Sequence, residues 1–329
     1  MKHPIRLSAA LLLVAAGACS PSPSQPPADS AAQDAVSSGD GFSPDASVTE
    51  DTVTTDAVVE DGPARDPLVV ARPYRVRAPG AGGAPVPLVV LLHGYGANGI
   101  GQDTYFGLGQ LVPTRRFVLA TPDGTLDASN RRFWNATDAC CDFARTGVDD
   151  VAYIRAIIDD AKARYSIDPG RVYVIGHSNG GFMALRIACE LSDRVAAVMS
   201  LAGAGFSDAT RCRPAQPVHV LQVHGTLDAV IQYNGGMFMG VGSYPSAERT
   251  VSDWAARNGC GTMRASAGAA LDIESSLAGA ETTREAHSGC RPGGSAELWS
   301  IQSGSHIPTF SPEWATSVLD WLLAHGRSG

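Results

Sequence analysis

Residues 172–185 read VYVIGHSNGGFMAL. A run of β-branched and aromatic residues breaks at Gly176-His177-Ser178-Asn179-Gly180 and resumes at once as a helix. A serine with glycines two residues to either side fits the G-x-S-x-G elbow, a strained strand-to-helix turn that presents a nucleophile. The glycines are needed because side chains there would collide across so tight a turn. Alone the pattern is weak, since this chain holds 36 glycines. The preceding RVYVI strand and the following helix give it meaning; the alternative is a glycine-rich turn that happens to contain serine.

A serine hydroxyl is a poor nucleophile near neutral pH and needs a base oriented by a carboxylate. With an elbow of this kind the chain order is Ser, acid, His, which removes His93 and His177 as the base. Of the later histidines, His219 lies inside a strand, His325 lies in the terminal helix, and His224 precedes the best acid. His287 sits in a poorly patterned stretch before Cys290. His306, in SGSHIP, falls on a loop directly after the strand ELWSIQ and is the expected base. Asp228, in VHGTLD just beyond a strand end, is the expected acid, with Asp208 as the rival after the previous strand. An oxyanion needs backbone donors: the N–H of Asn179, next to the serine, and that of Tyr95 in LLHGYG, a loop shaped by His93 and Gly94.

These positions must be carried by regular elements. PLVVARPYRV alternates like an edge strand, and APVPLVVLLHG is the continuous apolar run of a buried parallel strand. RRFVLATPDG is a strand closing in a turn, and Val148 to Tyr165 is a helix with Val151, Ile154, Ile158 and Ala161 on one face. IDPGRVYVIG reads as a turn and a strand, then a helix from about Gly180 to Leu191, then the strands VAAVMSLAG and PVHVLQVHG. Ser246 can cap a helix carrying Val251 and Trp254, and Ser311 to His325 is a terminal helix. Alternating strands and helices predict an α/β fold, a mostly parallel sheet covered on both faces, with its site at the carboxyl ends of the strands.

The chain ends and the composition bound the rest. Lys2 and Arg6 followed by the apolar run Leu7–Ala18 read as an export signal, too short to span a bilayer stably. AAGAC resembles the lipobox of bacterial lipoproteins, which would make Cys19 a lipidated N-terminus and the membrane a partner only through that lipid; plain secretion is the alternative. Residues 20–67 form an acidic Ser/Pro/Ala-rich linker, expected to stay disordered because it buries too little apolar surface. Without signal and linker the formal charge of −8 falls to about −1. The acidic balance therefore says nothing of the substrate, and there is no basic excess for nucleic acid. Residues 68–329 are long enough for one domain with a substantial core. Six cysteines besides Cys19 suggest three disulfides in an exported chain; their spacing does not suit zinc, so no metal and no cofactor is expected.

LVVLLHGYG, FWNATDACC, VDDVAYI, RVYVIGHSNGG, HGTLDAVIQY and WAARNGC together, in this order, resemble the polyhydroxybutyrate depolymerase and feruloyl esterase group of α/β-hydrolases. The resemblance covers roughly residues 68–326 and implies an α/β-hydrolase fold without a large lid domain, and Ser178, Asp228 and His306 as the triad. It also implies Trp134 near the substrate pocket, where His93 and His177 are expected too, although core packing would explain Trp134 about as well. This chain departs from the group around the base. Ser303 and Ser305 stand where glycines are usual, and Ile307 and Pro308 follow where a tryptophan is usual, which alters one wall of the pocket. The resulting expectation is a monomeric serine carboxylic ester hydrolase acting through an acyl-enzyme on extracellular feruloyl or acetyl esters or short polyhydroxyalkanoate oligomers. A peptidase or acyltransferase on the same triad, or a non-catalytic surface-binding protein, is the alternative. Cys260 and Cys290 bracket a poorly patterned insert; their pairing is expected both from that placement and from the resemblance. Of the pairings left, Cys140–Cys141 is expected least, because adjacent residues close a strained ring.

Overall fold

The computed structural model describes residues 63–327. The export signal, Cys19 and the linker up to residue 62 lie outside the described residues. The chain runs through α1 (Pro67–Ala71), β1 (Arg75–Arg77), β2 (Val86–Leu92), α2 (Gly99–Phe106), α3 (Val112–Arg115) and β3 (Val118–Thr121). A small pair, β4 (Thr125–Leu126) and β5 (Arg132–Phe133), precedes α4 (Asp150–Arg164), β6 (Ile167–His177), α5 (Asn179–Glu190), β7 (Ala197–Leu201) and β8 (His219–Gly225). The hairpin of β9 (Gly236–Phe238) and β10 (Gly242–Tyr244) leads to α6 (Ala247–Arg257), β11 (Arg264–Ser266), β12 (Thr282–His287), β13 (Ser295–Ile301) and α7 (Glu313–Leu323).

Among the described residues nine strands form one sheet in the order β1-β3-β2-β6-β7-β8-β13-β12-β11. From β3 to β13 the neighbours are parallel, and antiparallel pairs occur only toward the edges. Alternate side chains of β2 serve opposite cores, as period-2 geometry requires. Leu88, Val90 and Leu92 pack with residues of α4, α5 and α6, whereas Val89 and Leu91 pack with residues of α2 and α7. Val151, Ile154, Ile158 and Ala161 of α4 are buried, so the predicted apolar stripe is the face laid on the sheet. The sheet reverses direction of growth between β2 and β6, and the loops after β2, β6, β8 and β13 emerge at one edge. Such a crevice is where ligands bind in open parallel sheets.

Three departures from the sequence reading have local physical causes. PLVVA is a single helical turn rather than part of an edge strand: Pro67 sits in its first turn, and the Asp66 side chain accepts the Leu68 N–H at 2.8 Å. Arg72 then anchors this segment through a 2.8 Å ion pair to the buried Asp150. Asp168–Gly170 do not precede β6 as a separate turn; they bulge within it, between the pairs Val86↔Ile167 and Leu88↔Val172. The insert between Cys260 and Cys290 carries β11 and β12, which extend the sheet.

All six domain cysteines are paired: Cys140–Cys141, Cys189–Cys212 and Cys260–Cys290. The first pairing corrects the sequence expectation, which holds it least expected because adjacent residues close a strained ring; both cysteines are buried together in the core.

Candidate active site

Ser178 stands between the last residue of β6 and the first of α5, at φ 53° and ψ −117°. A non-glycine residue held there costs on the order of 1–3 kcal/mol, which the surroundings must over-determine. They do so through the backbone: the Ser178 N–H donates to Leu201 O of β7 at 2.8 Å, and Ser178 O accepts from Phe182 N at 2.9 Å to start α5. A Cβ on Gly176 would collide with the Gly180 backbone, and one on Gly180 with the carbonyls of Leu92 and His93. The two flanking glycines are thus required by contact with each other and with the end of β2.

Asp228 and His306 reach Ser178 from the ends of β8 and β13, which lie side by side. Their following turns interlock. Thr226 N donates to Ile301 O at 2.9 Å, Leu227 N to Gly304 O at 3.0 Å, and Ser303 N to Thr226 Oγ1 at 2.8 Å. That interlock places Asp228 Oδ2 2.8 Å from His306 Nδ1 and His306 Nε2 3.0 Å from Ser178 Oγ. With Nδ1–H donating to the carboxylate, Nε2 is the acceptor for the serine proton. Asp208, the rival acid, is exposed and caps a short turn by accepting the N–H and hydroxyl of Thr210. It does not take part.

Burial alone would raise the Asp228 carboxyl, but hydrogen bonds from His224 and His306 outweigh it and hold the group well below the usual carboxylate range. Its other oxygen accepts the N–H groups of Val230 (2.8 Å) and Ile231 (2.9 Å). His177, beside the nucleophile, donates from Nε2 to the His306 carbonyl at 2.9 Å. Burial, and next the neighbouring His306, lower its imidazole to about 4.

Gly94 abuts the nucleophile: a Cβ there would stand 3.6 Å from Ser178 Cβ. His93 shapes this loop, accepting Gly124 N–H at Nε2 (2.9 Å) and donating from Nδ1 to Gly94 O (2.8 Å). Burial lowers it to about 4. Trp134 corrects the sequence expectation. Its surface is 0% exposed, and it faces the core rather than a pocket, with its indole N–H on His93 O at 3.0 Å. Its backbone is gripped by Asn179, whose side chain accepts Trp134 N–H (2.7 Å) and donates to Trp134 O (2.9 Å). His93 is likewise 0% exposed, so both residues support the site from behind. Among the described residues no group of three His, Cys, Asp or Glu side chains is placed to hold a metal ion.

Sequence reasoning missed what holds the His306 loop. Segment 273–275 of the insert lies against it: Thr309 N donates to Glu274 Oε2 at 2.6 Å, Ser275 N to Thr309 O at 2.8 Å, and Ser311 N to Ile273 O at 2.9 Å. The Tyr105 hydroxyl from α2 adds a bond to Pro308 O at 2.9 Å. The insert's composition carries no periodic signal of this; only the buried carboxylate Glu274 could have drawn notice.

Known proteins resemble this chain in sequence and in fold. Residues 80–239 match the family described as Phospholipase/Carboxylesterase, a stretch that holds Ser178 and Asp228 but ends before His306. Feruloyl esterase B of Piromyces equi is 34% identical over 134 residues, 39% of this chain and 24% of that protein. Poly(3-hydroxyalkanoate) depolymerase C of Paucimonas lemoignei is 32% identical over 127 residues, 39% of this chain and 30% of that protein. The chain thus spans less than a third of the length of these curated relatives. An acetyl xylan esterase structure from Aspergillus awamori superposes with a TM-score of 0.54 at 14% identity, over 76% of this chain and 93% of that one, a likeness of fold. Fold and sequence together give this chain an α/β-hydrolase fold that is similar, over residues 80–239, to the phospholipase/carboxylesterase family, and in sequence to proteins named feruloyl esterase and poly(3-hydroxyalkanoate) depolymerase.

Proposed function

We propose that the protein is a serine carboxylic ester hydrolase working through an acyl-enzyme. The observation that carries this is the chain Ser178–His306–Asp228, joined at 3.0 and 2.8 Å on a nucleophile at positive φ. As Ser178 Oγ attacks the ester carbonyl carbon, its proton passes to His306 Nε2, and Asp228 stabilises the imidazolium. The N–H groups of Tyr95 and Asn179 receive the oxyanion. Collapse breaks the ester C–O bond, and the departing alkoxide takes the proton from His306. Water then attacks the acyl-enzyme with His306 again as base, releasing the carboxylic acid and restoring Ser178.

The surroundings suit an ester with apolar parts. Leu227, Val230 and Ile307 flank the acid and base at 67%, 48% and 62% exposure. On the other side Tyr95, Phe143 and Phe238 form a half-buried aromatic run with ring centroids 5.4 and 6.1 Å apart. The relatives' names point to feruloyl or acetyl esters of polysaccharide, or short polyhydroxyalkanoate oligomers, as substrates. Three disulfides fit an exported chain, and Cys19 would tether it by lipid. The test is labelling by a fluorophosphonate probe together with hydrolysis of acetyl, butyryl, feruloyl and 3-hydroxybutyryl esters. Ser178→Ala is expected to abolish labelling and lower kcat by about 10⁶. A folded Ser178→Ala protein retaining more than a few per cent of turnover refutes the assignment.

A further inference from the structure

We propose that His224 is a positioning residue for the acid of the triad, a second histidine donor to Asp228 that fixes the carboxylate for His306. The inference rests on the ester-hydrolase reading above. His224 lies on β8 and is 1% exposed. Its Nδ1 stands 3.1 Å from Gln222 Nε2, an amide nitrogen that also donates to Gly203 O at 2.8 Å. Since an amide NH₂ only donates, Nδ1 is the acceptor and the imidazole proton sits on Nε2. That Nε2–H donates to Ile231 O at 2.7 Å, and Nε2 stands 3.3 Å from Asp228 Oδ2.

The Asp228 side chain has no exposed surface, so protein donors alone must satisfy it. A carboxylate offers about four acceptor sites. Oδ1 takes the N–H groups of Val230 and Ile231 and Oδ2 takes His306, while His224 Nε2 lies 3.3 Å from Oδ2 beside the remaining site. His224 therefore fills the last site and opposes rotation of the carboxylate away from His306. Its own plane is fixed by Gln222 and by the Tyr233 ring, edge-on at 5.7 Å. As mere filling, Gln222 and His224 would be a poor choice inside a strand otherwise built from buried Val220, Leu221 and Val223. Gln222 orients His224, and His224 stands 3.3 Å from the Asp228 carboxylate, which accounts for their presence.

The role is tested with His224→Leu, which removes the donor, and His224→Gln, whose amide nitrogen can replace Nε2–H. Rates are taken per active site titrated with a fluorophosphonate, so that unfolded protein does not count. For His224→Leu, kcat is expected to fall about 10- to 100-fold with KM nearly unchanged, the signature of misplacement rather than lost binding. The downfield proton resonance of His306 Nδ1–H, present in the wild type, should vanish in His224→Leu. His224→Gln should recover most of kcat and the resonance. In the ¹⁵N-histidine-labelled wild type, His224 should report the Nε2–H tautomer, a measurement independent of whether His224→Leu folds. An Nδ1–H tautomer, or wild-type kcat per titrated site in folded His224→Leu, overturns the inference. A wild type that neither labels nor hydrolyses any ester would instead defeat the underlying functional reading.

Discussion

Two buried histidines beside Ser178 make stability depend on pH between about 6.5 and 4. His93 is 0% and His177 7% exposed, and burial as the leading cause lowers each to about 4 from an unfolded value near 6.5. A folded-state value below the unfolded one means the unfolded chain binds the proton first. The neutral imidazole's contribution is therefore complete above about pH 6.5 and is lost as pH falls toward 4. Between pH 7 and 4.5 each histidine should remove roughly 2–2.5 kcal/mol of stability. Asp103 and Asp150, which burial holds above the ordinary carboxylate value, act in the opposite sense near the lower end of this range. A difference experiment isolates the effect. His177→Gln keeps an N–H for the His306 carbonyl but cannot titrate. Urea unfolding followed by tryptophan fluorescence at pH 7 and 4.5 should show the variant losing about 2 kcal/mol less than the wild type. If both lose the same amount within about 0.5 kcal/mol, His177 is not a buried neutral group in the folded protein and the electrostatic account of the site is wrong.

Asp228→Asn should fold and lose about 10⁴ in kcat, because an amide favours the wrong His306 tautomer, whereas Asp208→Asn should match the wild type; ester hydrolysis by both variants checks this. Asp150→Ala should cost about 3–5 kcal/mol in urea unfolding, because it strands the Arg72 guanidinium and the Asn135 N–H that Asp150 receives at 2.8 Å each. Non-reducing peptide mapping should recover Cys260 linked to Cys290 and Cys189 linked to Cys212, with Cys140 and Cys141 closed within one peptide. The two long-range bridges, separated by 30 and 23 residues, should each stabilise by about 3–4 kcal/mol, and losing either should lower Tm.

What could be read from the sequence is what local pattern encodes. The elbow spans five residues, and its glycines have an identity dictated by contacts within that span and with the adjoining β2. Period-2 and period-3.6 patterns located β2, β6, α4, α5 and β8 because each buries a face or both faces against the sheet. His306 is singled out by chain order and its loop after a strand, and Asp228 by its place beyond a strand end, and the structure brings both within hydrogen-bond distance of one another. Trp134 went wrong for an instructive reason. A large aromatic next to the motifs of a site can line a cavity or brace one from behind, and residue type does not distinguish these. Here the Asn179 side chain fixes the Trp134 backbone and turns the ring inward.

The parts that could not be read are those made by polar groups meeting across long stretches of chain. Glu274 holds Thr309 across 35 residues, Arg72 meets Asp150 across 78, and Tyr105 reaches Pro308 across 203. None of these pairs leaves a periodic trace, because each is a polar contact between segments far apart in the chain. They bear on the site all the same. The wide stretch between β8 and β13 in sequence is closed by adjacency in space, and His306 hangs from a loop with one glycine, Gly304, before it. That loop is held by Glu274, Ser275, Tyr105 and His177 rather than by its own conformational preference. The insert between the Cys260–Cys290 pair is therefore not an ornament on the sheet edge. It is one wall of the cradle that keeps His306 within hydrogen-bond reach of Ser178, which is why a segment without sequence pattern can still be essential to the site.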